Sequence, residues 1–238
     1  MTSLTYADYL NLDTLLSLQA PRTPDTAERS VILAEHFFVV AHQSSELWLK
    51  QIAADLDAAV DALRPEYGPS DPESGSELLE RAAELLRILL EQLAALDKLP
   101  VRHFAEFRPY LGSASGAESE QFHYLAELLG DDQHPGRLYE AFAAATEHSG
   151  TTVAEVCRRG PQAGVHHRIA ENLLDIGNRY WRWKVGHLTL MSKMLGEQPG
   201  TGGTTGAAYL ISRIIVPFAE LRRLRGRLHE DLVGRPAQ

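Results

Sequence analysis

Residues Glu28–Leu63 read ERSVILAEHFFVVAHQSSELWLKQIAADLDAAVDAL, a run without proline or glycine. Leu33, Phe37, Val40, Leu47, Ile52, Leu56, Val60 and Leu63 recur along it at helical spacing, which predicts one long helix. On its C-terminal side, Pro65–Gly75 (PEYGPSDPESG) is rich in breakers and predicts a loop. Ser76 then opens a second helix, whose leucine-rich run LLERAAELLRILLEQLAALDKL is closed by Pro100. On its N-terminal side, a short amphipathic segment ends at Pro21 and Pro24.

Further along, Ser115 and Glu118 have the capping-box spacing, so a helix is expected from there to Gly130. Short helices are expected near 136–147 and 151–158, a second long helix from about Gln162 to Leu195, and a last helix over about 207–229. Strand-like alternation is essentially absent. The expected class is all-α: a helical bundle of long antiparallel helices forming a single domain over 1–238.

The chain has 238 residues, 44% hydrophobic and 23% charged, which suits a globular protein with a sizeable core. Acids outnumber bases 32 to 23, so a chain that mainly binds nucleic acid is disfavoured. No run of apolar residues is long enough to span a membrane, and the N-terminus lacks the basic region of a secretory signal. The expectation is a soluble, cytoplasmic protein with no nucleic-acid or membrane partner. The one cysteine, Cys157, excludes an internal disulfide framework and carries no nucleophile signature.

Four places can carry chemistry. His42 shares a helix face with Phe38, Ser45 and Leu49. A histidine in such an apolar run is either a satisfied core residue or a pocket group that handles one proton near neutral pH. His187 lies on the stripe Ile176, Tyr180, Trp183, His187, Met191 and Met194. That stripe is either an aromatic core or the lining of a macrocycle site, in which one imidazole binds iron axially. Haem held there would be non-covalent, because the chain has no C-x-x-C-H motif. The glycine-rich GTGGTTG, Gly200–Gly206, offers close backbone approach and several hydroxyl and amide donors, as a loop or as a lid over a small polar substrate. Arg108, in FAEFRPYLGSASG, can present its fork to a carboxylate or serve as an ordinary surface arginine. The adjacent pair His166–His167 makes a poor metal site, and neither H-E-x-x-H nor G-x-S-x-G is present.

Taken in order, YADYLNLDTLLSLQ, EHFFVVAHQSSELWLKQ, FRPYLGSASG with the QF and LLG that follow it, and WRWKVGHLTLMSKMLGEQPGTGGTTGAAYL resemble the tryptophan 2,3-dioxygenase family of haem enzymes. HQSSELW and GTGGTTG are the most specific of these blocks. The resemblance implies a haem-dependent oxygenase that cleaves the indole C2–C3 bond of L-tryptophan or a close analogue, with O2 as co-substrate and N-formylkynurenine as product. It implies haem b bound between the helices, with His187 as proximal ligand and Trp183 beside it. His42 matches the distal catalytic histidine near the indole nitrogen, Arg108 the arginine that grips the substrate carboxylate, and Thr201 the loop threonine that contacts the amino-acid part. Phe38 and Phe104 match aromatic pocket positions and Ser115 a serine near the distal pocket. Tyr6, Tyr9 and Leu10 match a segment that caps a neighbouring subunit's site, so residues 1–24 would form an arm in a homo-oligomer, a tetramer or dimer.

The chain departs from the family's usual pattern at several places. Leu33, Ala34 and Glu35 stand for His-Asp-Glu, Ser115–Ser119 reads SGAES for S-G-F-Q-S, and His123 replaces the arginine of Q-F-R. The wider superfamily includes monooxygenases that hydroxylate tyrosine or place one oxygen on a substituted tryptophan. A non-catalytic haem sensor is a further alternative; it would need His187 but neither Arg108 nor Thr201.

Overall fold

The computed structural model describes residues 4–64, 66, 70–200, 207–212 and 214–233. A capping box starts α1, Tyr6–Leu10: Thr5 Oγ1 accepts from the Asp8 N–H at 3.1 Å and Asp8 Oδ2 accepts from the Thr5 N–H at 3.3 Å. Asn11, left-handed at φ 50°, ends it, and α2 follows at Leu12–Leu15. The long expected helix is α3, Arg29–Leu63. Next come α4, Pro72–Leu96, and α5, Val101–Phe107, which continues into a 3₁₀ turn at Arg108–Leu111. The shorter α6, Glu120–Leu129, α7, Arg137–His148, and α8, Val153–Arg159, follow. The second long helix is α9, Val165–Leu195, and α10, Ala207–Ser212, and α11, Ala219–Val233, complete the order. The protein is all-α, and among the described residues the β-type pairing is confined to one bridge, Gly130 to Pro135. No described helix is long and apolar enough to cross a membrane.

Three boundaries differ from the sequence reading, each for a local reason. α4 begins at Pro72 rather than Ser76, because Asp71 Oδ1 accepts from the Ser74 N–H at 3.1 Å and Pro72 fills the first turn, where no N–H is needed. The Ser115–Glu118 box forms, but it closes only a 3₁₀ turn at Gly116–Glu118; α6 is capped by Ser119, whose Oγ accepts from the Phe122 N–H at 3.2 Å. The last helix is broken into α10 and α11 before Pro217, which lacks an N–H and disfavours the helical region for its predecessor. Phe218 then takes φ 60° and buries its ring against Gly177, where a Cβ would lie 3.2 Å from that ring.

The bundle register is fixed by side chains. Arg81 forks onto Asp55 (2.6 and 2.8 Å) and Ser45 Oγ donates to Gln92 Oε1 (2.9 Å), so α3 and α4 run antiparallel. Asp55 is buried, but Gln51 Nε2 donates to it as well, so its charge is paired and hydrogen-bonded. α9 lies parallel to α4. Asn172 donates to the Ser76 carbonyl (3.0 Å), Arg179 to that of Ala83 (3.0 Å) and Lys193 to that of Asp97 (2.7 Å), with a constant offset of 96 residues. Gly186 permits close approach at this seam, since a Cβ there would meet Leu93 at 3.2 Å and Leu90 at 3.3 Å.

Two apolar cores result. The larger joins the C-terminal half of α3 and the N-terminal halves of α4 and α9 to α6, α7 and α8. The smaller joins the N-terminal half of α3, α5 and the C-terminal ends of α4 and α9. In that half of α3 the inward residues are Val31, Ala34, Glu35 and Ala41, whereas Leu33, Val40 and Leu47, part of the expected apolar stripe, are exposed. Glu35 has a positive reason to be buried: its two carboxylate oxygens accept from the Arg22 N–H at 2.9 Å and the Thr23 N–H at 2.8 Å. The adjoining Gln43 accepts from Gln19 Nε2 (2.6 Å) and donates to the Leu18 carbonyl (3.0 Å), so residues 18–23 are docked on α3.

Glu35→Ala leaves two backbone donors without an acceptor and should cost about 1–3 kcal/mol in chemical denaturation. It should also speed tryptic cleavage after Arg22. Unchanged stability together with unchanged cleavage would dismiss Glu35 as the clamp.

Candidate active site

The smaller core opens toward the ends of α5 and α9. Phe38 and His42 are one turn apart on α3, with ring centroids 3.9 Å apart. From α5, Phe104 lies 6.0 Å and Phe107 5.5 Å from Phe38, and the two meet each other edge-on at 5.3 Å. One turn below, Ser45 ties this part of α3 to α4 through Gln92.

His42 Nδ1 lies 2.8 Å from the Phe38 carbonyl. A carbonyl can only accept, so Nδ1 carries the hydrogen and the neutral ring keeps its lone pair on Nε2. Burial lowers the basicity of His42, against the opposing effects of the Phe38 hydrogen bond and the Glu46 charge. The residue as a whole is nevertheless exposed to solvent. Both statements hold if the ring lines a hollow, with protein around it and open space on one face.

His187 faces the same region. Burial first, and repulsion from His42 second, push it down to about 4, so its imidazole is neutral at physiological pH. The charge coupling requires the two rings to be near each other, and the register agrees. Ser45 pairs with Gln92, and the 96-residue offset of α9 from α4 puts Leu188 at the level of Gln92. His42 and His187 therefore stand within roughly one helical turn of each other along the bundle axis. The indole of Trp183 stacks on the His187 ring at 5.2 Å and 7°, and no hydrogen bond joins that ring to any described residue.

Between the ends of α5 and α9 is a cavity of about 440 Å³, within the size range of small-molecule sites; neither histidine lines it, and it meets the Phe38–His42 cluster through Phe104. Its walls include Phe104, Ala105, Met194 and Leu195, and its polar side chains are Arg108 and Gln198. Arg108 is half-buried and its Nη2–H donates to the Pro199 carbonyl, which ties it to the chain just before Thr201. Thr201 itself lies outside the described residues.

The donor set suits a macrocycle. Among the described residues no group of three or more His, Cys, Asp or Glu side chains is disposed to hold a bare metal ion. A haem needs only one protein nitrogen, and His187 offers a neutral imidazole without a hydrogen bond to any described residue, beside a flat aromatic surface.

The structure thus brings together Phe38, His42 and Phe104, and separately stacks Trp183 on His187. Of the α9 stripe, Ile176, Tyr180 and Met194 are buried core, while Trp183, His187 and Met191 are half-buried. Ser115 uses its hydroxyl to accept from the Ala117 N–H at 3.3 Å, and no described hydrogen bond ties it to His42. Tyr6, Tyr9 and Leu10 are exposed on α1, which buries none of its residues. The sequence reading missed Phe107, which its three-residue spacing from Phe104 could have revealed. It also missed Gln198, which only tertiary packing brings opposite α5.

The tryptophan 2,3-dioxygenase family profile matches residues 1–149 and 139–226. The chain belongs to the tryptophan 2,3-dioxygenase family. It is 29% identical to the tryptophan 2,3-dioxygenase of Burkholderia multivorans over 271 residues, covering 95% of this chain and 84% of that protein. The corresponding protein of Burkholderia lata is also 29% identical with the same coverage, and that of Paraburkholderia phytofirmans is 28% identical over 272 residues, covering 95% and 85%. These alignments are longer than the 238-residue chain, so the family members carry segments that this one lacks. The enzyme family is thus established for a chain whose Glu35 alone remains of the His-Asp-Glu run, and that carboxylate is the buried one.

Phe107 is fully buried, so Phe107→Ala should cost roughly 3–5 kcal/mol. Half-buried Phe38→Ala should cost clearly less, as read by chemical denaturation of both variants. Equal losses would contradict the proposed division between structural wall and open lining.

Proposed function

We propose that the protein is a haem-dependent oxygenase of L-tryptophan or a close indole amino acid, of the 2,3-dioxygenase type. The observation that carries this reading is the pairing of two neutral imidazoles, His42 and His187, within about one turn along the bundle, with Arg108 presented by a cavity that shares Phe104 with the Phe38–His42 cluster. Family membership supports it. His187 would hold haem b, with Trp183 against the imidazole, and the haem when bound supplies the iron that activates O2.

The chain's own residues supply recognition. Arg108 would take the substrate carboxylate in its fork, and the loop anchored at Pro199 would bring Thr201 to the amino-acid end. Phe38 and Phe104 would flank the aromatic ring and keep water from it. His42 Nε2, free to accept because Nδ1 donates to Phe38, would take the indole N–H and fix the C2–C3 bond in place. Ser115 would lie near the distal side. The whole chain would act as one domain, with Tyr6, Tyr9 and Leu10 reaching the site of a neighbour in a homo-oligomer.

The deciding experiment gives the haem-loaded protein tryptophan under ¹⁸O2 and weighs the product. Two labelled atoms in a ring-opened product are expected. One atom in an intact ring would replace the dioxygenase reading with a monooxygenase, and no turnover with retained haem would favour a sensor. His187→Ala should abolish the Soret band, whereas His42→Ala should retain it and alter turnover. Arg108→Ala should raise KM for tryptophan at least tenfold, because the carboxylate loses its charged partner. An unchanged KM would remove Arg108 from the site.

A further inference from the structure

Two adjacent side chains of α6 reach the two histidine-bearing helices. Gln121 Nε2 donates to the Glu46 carbonyl at 2.8 Å and to Glu46 Oε2 at 2.7 Å. Glu46 stands one turn beyond His42 on α3. Phe122 packs on Trp183 with centroids 4.4 Å apart and planes 32° from parallel. Trp183 stands one turn before His187 on α9 and lies nearly parallel to its imidazole.

The dipeptide is itself rigidly mounted. Ser119 caps α6 at the Phe122 N–H, and Leu125, Leu128 and Leu129 bury the rest of the helix in the larger core. Trp183 touches both cores, so it occupies the junction between the structural half of the bundle and the site half. The outer torsion of a histidine is soft, and no hydrogen bond to a described residue holds the His187 ring. Its described ring partner on α9 is the indole of Trp183, and that indole in turn packs against the ring of Phe122.

We propose that Phe122 is a positioning residue that sets the plane of the His187 imidazole through Trp183, and that Gln121, through Glu46, holds the His42 turn in register with it. The proposal rests on the reading of His187 as the cofactor's ligand, but it concerns what orients that ligand. Groups behind a metal-bound histidine tune its orientation and strength, and their loss commonly lowers metal affinity or activity 10–100-fold, by order of magnitude.

The test uses the full chain as wild type, Phe122→Leu, Phe122→Met as a second apolar variant, and Phe122→Tyr. In the ferrous haem-loaded protein, resonance Raman should show the iron–histidine stretching band displaced in the Leu and Met variants and restored in the Tyr variant. Haem transfer to an acceptor protein should be about tenfold faster or more in the displaced variants. In a Trp183→Leu background, Phe122→Leu should add no further displacement. A second arm needs no cofactor: with ¹³C-labelled histidine, the His187 ring signals should move in Phe122→Leu, and the His42 ring signals should move in Gln121→Ala. Phe142→Leu, a core change elsewhere, should lower stability and leave both sets of signals in place. Band and ring signals that stay fixed in the Leu and Met variants would overturn the proposal. Failure of the wild type to take up haem would instead refute the functional reading, and the histidine signals would then decide the positioning role alone.

Discussion

Three side chains of α9 hydrogen-bond to backbone carbonyls of α4 at a constant spacing, and the rest of the molecule depends on that parallel seam. A parallel pair cannot be closed by a tight turn. The chain between α4 and α9 therefore has to travel back along the bundle, and it does so as α5, α6, α7 and α8. Those shorter helices become the walls of the two cores. The seam also decides which residues of α9 meet which level of α3.

The site half of the bundle differs from the structural half in how its polar groups are satisfied. In the larger core, Asp55 is held by a bidentate arginine and a glutamine. In the smaller core, Glu35 is held by backbone N–H groups of the N-terminal arm, so its burial and the docking of that arm are one event. The two histidines, by contrast, are kept neutral by burial rather than charged by a partner. Neutral imidazoles can ligate and accept; charged ones can only donate. That makes an apolar surround a requirement of the chemistry as well as of packing.

Much of this was legible in the residues. A long stretch free of proline and glycine marked α3, and a long amphipathic period marked α9, within a few residues, because such a period over that length has few other solutions. The errors were local contests. Asp71 and Pro72 won the start of α4 over Ser76, and Pro217 with the left-handed Phe218 broke what periodicity alone read as one helix. The exposure of Leu33, Val40 and Leu47 could not be seen, since a helical stripe shows that residues share a face and not that anything covers it. For the site, spacing on single helices identified His42 with Phe38 and His187 with Trp183, whereas Phe107, Gln198 and the Gln121–Phe122 bridge depend on contacts between helices.

By itself, then, the sequence determined the helices, the apolar setting of both histidines and, through the order of its motifs, the family. Those are properties of short range: period, capping and residue type act within a few turns of one segment. Only the tertiary structure decided that α4 and α9 run parallel, that the two imidazoles stand within about one turn of each other, and that Arg108 and Gln198 share a cavity. Such relations join residues tens of positions apart, and they follow from which side chains find buried partners once the helices pack, a choice that no local pattern encodes.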